Sequence, residues 1–303
     1  MKRARRFKKI KSIPASSFVF QNQKFSTMTN KIHILTITIL LLACCGAKQN
    51  DARTEFFPKI EQKPDVIPDK ENIWVFMLAG QSNMAGRGKV EPVDTIPDCR
   101  IFTINKEGEL ILAKEPLHFY EPTMTGLDCG LSFGKELLKH IPDSISVLII
   151  PTAVGGSSIS QWINDSTFRN VTLMTNFKEK VEIGQKYGAI KGILWHQGES
   201  DASRQETIEI YNKRLQNLFT LFRNAVGNNE LPIIIGELGS FSKTDDNWKA
   251  LNAKIEEYIK TDPNAYLIKT SDLKGKGDRI HFDSEGQREM GKRFAGRFIE
   301  IQE

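Results

Sequence analysis

Short, almost wholly apolar runs alternate with amphipathic stretches from residue 73 to the C-terminus. Ile73–Ala79 (IWVFMLA) carries no polar side chain, the pattern of a strand buried on both faces of a sheet. Similar runs stand at Ser146–Pro151 (SVLIIP), Ile190–Trp195 (IKGILW), Pro232–Glu237 (PIIIGE) and Ala265–Ile268 (AYLI). Between them the apolar period becomes helical. Leu131, Phe133, Leu137, Leu138 and Ile141 share one face, as do Ile208, Tyr211, Leu215, Leu218 and Phe222. The second set predicts a helix over about Glu206–Ala225, opened by a capping box at Ser203-Arg-Gln-Glu206. Trp248–Ile259 and Glu285–Ile299 complete the helices, the last with Asp283 or Ser284 as its N-cap. Strand and helix repeated in this order predict an α/β domain over 71–303, with a mostly parallel central sheet covered on both faces.

The front of the chain reads differently. Ile32–Ala43 (IHILTITILLLA) is apolar but shorter than the roughly 20 residues needed to span a bilayer. A basic lead and small residues after the run describe a secretory signal over residues 1–43. Its end, Leu41-Leu42-Ala43-Cys44, resembles the lipobox of bacterial lipoproteins. That resemblance implies export across the inner membrane and a lipid anchor on Cys44, in the periplasm or at the cell surface. Met28 opens a compact signal by itself. Translation from Met28 is one reading of residues 1–27, and a basic arm for nucleic acid or anionic lipid is the other. Residues 44–70, polar and holding Pro58, Pro64 and Pro68, read as a tether.

Charge changes the picture once it is apportioned. The chain has 42 basic and 37 acidic residues, net +5, but nine of the bases and none of the acids fall in the first 43 positions. The remainder is net −4, which excludes a nucleic-acid-binding body. Four cysteines make neither a disulfide scaffold nor a zinc site. Cys99 and Cys129 either pair in an oxidising compartment or are two inert thiols.

In a parallel sheet, ligands gather at the carboxyl ends of the strands. Gly80-Gln-Ser-Asn-Met follows the first strand and lifts Ser82 onto a Gly-flanked turn. The sequence there is not the GxSxG elbow, because position 84 is Met. Thr152-Ala-Val-Gly-Gly-Ser follows the second long strand, where paired glycines let backbone N–H groups approach a ligand. Trp195-His-Gln-Gly-Glu-Ser-Asp201 ends the third, dense in hydrogen-bonding groups that are costly to bury unused. His196, Glu199 and Asp201 lack regular ligand spacing, which argues against a metal. Of five histidines, His33 lies in the signal, His118 in a loop without a polar cluster and His140 at a helix end, leaving His196 and His281. Asp278 stands three residues before His281, near enough to orient its ring.

The four blocks Gly80-Gln-Ser-Asn-Met, Gly155-Gly156, His196-Gln-Gly-Glu-Ser-Asp and Asp278-x-x-His281, in this order, resemble the sialate O-acetylesterase and acetylxylan esterase group. That group is carbohydrate esterase family six, a branch of the SGNH hydrolases. The resemblance implies a three-layer α/β/α, flavodoxin-like fold and cofactor-free, metal-free removal of acetyl groups from an acetylated carbohydrate. It makes Ser82 the nucleophile, His281 the base and Asp278 its orienting carboxylate. The oxyanion donors it implies are the Ser82 amide, a glycine amide at Gly155 or Gly156, and the Gln197 side chain. Gln81, Asn83, His196, Glu199 and Asp201 become supports around them, with Glu199 and Asp201 still rivals to Asp278. Substrate choice is expected in the loops Lys114–Asp128 and Asn164–Thr175, with Trp162 and Trp195 near the site for stacking on a sugar. A lipase or thioesterase on the same fold, or a non-catalytic carbohydrate-binding lipoprotein, are the alternatives.

Overall fold

A strand that is apolar at every position must find cover on both sides, and β1 (Ile73–Gly80) finds it at the centre of the sheet. The structure, a computed structural model, describes residues 52–303. The signal, the lipobox cysteine and the Met28 start lie outside the described residues.

After β1 come the short helix α1 (Ser82–Ala85), the hairpin β2 (Ile101–Ile104) and β3 (Leu110–Leu112), α2 (Gly130–Leu137), β4 (Ser146–Pro151) and α3 (Ile159–Ile163). A small hairpin of β5 (Thr167–Phe168) and β6 (Val171–Thr172) leads into α4 (Leu173–Tyr187) and β7 (Ala189–His196). The chain closes with α5 (Gln205–Glu209), α6 (Tyr211–Val226), β8 (Ile233–Gly236), α7 (Asp245–Ile259), β9 (Ala265–Ile268) and α8 (Ser284–Gln302). The main sheet runs in the order β3-β2-β4-β1-β7-β8-β9, parallel except for β3, which pairs antiparallel with β2.

Alternation along β1 divides the core into two layers. Val75, Met77 and Ala79 pack with α3, α4, α6 and α7, whereas Phe76 and Leu78 pack with α2 and α8. Helices therefore cover both faces, the α/β/α arrangement expected. The strand order reverses beside β1, so the ends of β1, β4 and β7 open onto one crevice.

Several expectations need correction. The long helix expected from Glu206 is two helices, α5 on α7 and α6 on α3 and α7, broken at the exposed Ile210. Ser203 does not cap it: its hydroxyl donates to the Ser200 carbonyl at 2.8 Å, and Arg204 precedes α5 without a side-chain cap. The turn ahead of α5 is shaped instead by Asp201, which is drawn inward. The β2–β3 hairpin and α4 carried too weak an apolar period to stand out. Cys99 is exposed, Cys129 is buried 3.7 Å from the Met84 sulfur, and the two do not pair.

The described part of the expected tether is not a free spacer. Gln62 offers its carbonyl to Leu112 N–H of β3 at 2.8 Å, Glu61 accepts from Asn105 at 2.9 Å, and Arg53 donates to the Thr125 carbonyl. An edge strand leaves such N–H groups in need of a partner, and this segment supplies one. At the C-terminal helix, Asp283 is the cap, accepting Gly286 N–H at 2.7 Å.

Candidate active site

The turn after β1 exists because Gly80 is a glycine. With φ at 141°, a Cβ there would sit 2.0 Å from the His196 carbonyl oxygen of β7. The same carbonyl accepts Gln81 N–H at 3.0 Å, and Ser82 opens α1 at once. As the first residue of a helix, Ser82 has an N–H with no intrahelical acceptor.

His281 meets Ser82 across the crevice, with Nε2 lying 3.0 Å from Oγ. Its Nδ1 is 2.7 Å from Asp278 Oδ2, while Asp278 Oδ1 accepts the backbone N–H groups of Ile280 (3.0 Å) and His281 (2.8 Å). One carboxylate thus shapes the turn and orients the ring. Burial opposes ionisation of Asp278, but the His281 side-chain and backbone hydrogen bonds prevail and hold its pKa at about 2. Hydroxyl, imidazole and carboxylate in this chain can move a proton away from Ser82 as its oxygen attacks an electrophile.

Asn83 joins the two halves. Its carboxamide donates to the Ile280 carbonyl at 3.0 Å and to Glu199, and accepts Phe282 N–H at 3.1 Å. Glu199 therefore anchors Asn83, and Asp278 alone takes the Nδ1 of His281. His196 is fully buried, lies edge-on to Phe282 and donates from Nε2 to the Glu237 carbonyl at 2.8 Å. Burial pushes its pKa down, so it is a neutral core histidine. Asp201 accepts Ile159 N–H at the start of α3 (2.8 Å) and Arg214 (3.2 Å), and burial raises its pKa against those bonds.

The amides after β4 can be accounted for one by one. Thr152 donates to Leu78 O (2.9 Å), Ala153 to His118 Nε2 (3.2 Å), Val154 to Gly80 O (3.1 Å) and Gly155 to Glu121 Oε2 (2.6 Å). Gly155 N–H is thus committed. Gly156, left-handed at φ 81° and lining the crevice, has an N–H with no partner among the described residues.

Gln197, expected as an oxyanion donor, does not line the crevice. It is fully buried behind Gln81, with its amide nitrogen shared among Asp201 (2.7 Å), Gln81 Oε1 (3.0 Å) and the Ser157 carbonyl (3.2 Å). Its oxygen accepts the Tyr211 hydroxyl at 2.9 Å. Gln81, whose oxygen also accepts Ser200 N–H at 3.2 Å, lines the crevice, and its amide nitrogen has no partner among the described residues. The tryptophans also stand elsewhere. Trp162 and Trp195 are fully buried against each other and Phe222, so they are core and offer no face to a sugar.

The crevice has a volume of about 460 Å³ and is lined by Ser82, His281 and Gly156 together with Met124, Arg169, Lys243 and Arg279. Met124 and Arg169 come from the two loops expected to govern substrate choice. Sequence reasoning missed Arg87, Glu121 and Arg169. Glu121 is buried, 2.8 Å from Arg87 and in contact with Arg169, and these ion pairs outweigh its burial and lower its pKa. His118, expected in a loop without polar neighbours, lies 2.8 Å from Asp128. No local motif announces these contacts: Arg87 and Arg169 reach Glu121 from other loops, and His118 and Asp128 stand ten residues apart in the irregular connection between β3 and α2.

The family described as carbohydrate esterase, sialic acid-specific acetylesterase, matches residues 72–300. The chain belongs to this family. A probable carbohydrate esterase of Arabidopsis thaliana is 28% identical to it over 260 residues, 79% of this chain and 95% of the relative. The crystal structure of that plant protein superposes with a TM-score of 0.67 at 25% identity, covering 76% of this chain and 98% of its own. NanS superposes at 0.64 with 16% identity, covering 78% and 99% of the two chains. A carbohydrate acetylesterase from Xanthomonas citri gives 0.56 with 18% identity, covering 77% and 57%. The last two likenesses concern the fold, a mostly parallel sheet with helices on both faces. The esterase and these neighbours share that frame.

Proposed function

We propose that the esterase removes O-acetyl groups from carbohydrates through an acetyl-serine intermediate. The observation that carries this reading is the unbroken contact from Ser82 Oγ through His281 to Asp278. Ser82 attacks the acetyl carbonyl while His281 Nε2 takes its proton, and Asp278 stabilises the imidazolium. The amides of Ser82 and Gly156 and the side chain of Gln81 hold the oxyanion. The sugar oxygen leaves with the proton from His281, and water then repeats the sequence to release acetate.

Charge at the rim bears on the sugar. Lys243 and Arg279 line the crevice without an ion-pair partner among the described residues, and Arg169 stands beside Gly156. Against them stand Glu199, turned to Asn83, and Asp278, turned to His281. This balance favours a carboxylate-bearing acetylated sugar such as a sialic acid over a neutral xylan.

Acetate release from a panel of acetylated sialic acids and neutral glycans tests the reading. Faster release from the acidic sugars is expected, and equal release would remove the charge argument. A fluorophosphonate should label Ser82; an unlabelled, folded protein would make it a carbohydrate binder. Export and lipid attachment at Cys44 belong to the same proposal. Mass spectrometry of the native mature chain should find an acylated Cys44 at its N-terminus.

A further inference from the structure

The segment that carries the free Gly156 amide is held from outside the catalytic residues. Val154 N–H returns to β1, but its neighbours Ala153 and Gly155 donate to side chains of one distant stretch, His118 and Glu121. An imidazole nitrogen accepts an N–H only when it carries no proton. The proton of His118 therefore sits on Nδ1, which donates to Asp128 Oδ2 at 2.8 Å. Asp128 is fixed in turn at the start of α2. Its other oxygen accepts Gly130 N–H at 2.6 Å, and its own N–H donates to Glu115 at 3.2 Å. His118 is 2% exposed and Asp128 and Glu115 are 0% exposed, so no solvent stands ready to replace a lost contact.

We propose that His118 is a positioning residue for the oxyanion hole. Its neutral ring, oriented by Asp128, grips the Ala153 N–H and so fixes the path by which the Gly156 amide reaches the crevice. The inference rests on the esterase reading above. An acetyl carbonyl gains its full negative charge only in the transition state, so a displaced donor lowers kcat and leaves KM nearly unchanged. A ring that merely filled space would show no such split.

Two substitutions separate the hydrogen bonds. In His118→Gln the carboxamide oxygen reaches the place of Nε2 and keeps an acceptor for Ala153. In His118→Asn the shorter side chain reaches only the place of Nδ1, keeping Asp128 and losing Ala153. Both lose the ring and one hydrogen bond, so a purely structural role would be struck alike in each. The experiment measures kcat and KM for acetyl ester hydrolysis by the full chain, per Ser82 titrated with a fluorophosphonate. His118→Asn should lose about 10–100-fold in kcat at nearly constant KM, the scale of a displaced catalytic group, while His118→Gln keeps most of kcat. Equal kcat in the two variants, or a loss confined to KM, overturns the proposal. If neither variant folds, imidazole nitrogen NMR of the wild type decides. A protonated Nδ1 and bare Nε2 on His118 support it, and the reverse tautomer overturns it. A wild type that neither hydrolyses acetyl esters nor reacts at Ser82 would instead defeat the esterase reading, leaving the tautomer result as a separate finding.

Discussion

Asn83 and Ile280 stand 197 positions apart, and the Asn83 carboxamide donates to the Ile280 carbonyl at 3.0 Å. The residue after Ser82 thus holds the residue before His281. Asn83→Ala should free the His281 turn and lower kcat by about 10–100-fold. It also strands Phe282 N–H, at a cost of about 1–3 kcal/mol. Kinetics and thermal unfolding of the variant check both effects, and an unchanged kcat would show that the turn holds itself.

Ser82→Ala and His281→Ala should each remove most activity, and the double variant should lose little more than either alone, because the two groups act as one unit. Asp278→Asn keeps an acceptor for the turn but cannot balance an imidazolium, so a fall in kcat of about 10³–10⁴-fold is expected. Multiplicative losses in the double variant would contradict the shared unit.

The two glutamines should part company. Gln81→Ala removes a donor at the crevice and should lower kcat by about 10²–10³-fold. Gln197→Ala takes a buried donor from Asp201 and from Gln81, while the Tyr211 hydroxyl keeps the Gln197 backbone carbonyl, so its main effect should be a lower Tm. Measuring kcat and Tm for both decides the matter, and a kinetic loss confined to Gln197→Ala would reverse the assignment.

A pH effect on stability follows from Glu115. Burial, then the nearby Asp128 carboxylate, raise its pKa well above the ordinary 4.5, against the pull of two backbone N–H groups. Above pH 4.5 the unfolded chain releases this proton while the folded chain retains it. Stability from this group is therefore greatest below that pH and falls as pH rises towards the folded pKa. Glu115→Gln should flatten the decline in Tm as pH rises above 4.5. Parallel Tm curves for wild type and variant would refute the assignment.

Much of the frame is legible in the chain. The five apolar runs became β1, β4, β7, β8 and β9 because a strand covered on both faces carries its burial in its own composition. The Asp278-x-x-His281 contact was legible too, since three residues are few enough for one turn to bring both side chains together. The break at Ile210 and the loss of the Ser203 cap were not, because both depend on where α7 and Asp201 lie. Gln197 was misplaced for the same reason. A carboxamide at a strand end has the chemistry of an oxyanion donor, and only its neighbours show that both of its hydrogens are already engaged.

Residue order alone determined that strands and helices alternate, that strand ends carry Ser82, the paired glycines and Gln197, and that a carboxylate sits within reach of His281. These are properties of periodicity and short spacing, which the backbone enforces locally. The meeting of Ser82 with His281, the engagement of the Gly155 N–H by Glu121, the burial of Trp162 and Trp195 and the grip of His118 on Ala153 came only with the tertiary structure. Each joins segments far apart in the chain, and such contacts are set by how the layers pack, not by which residues are neighbours in sequence.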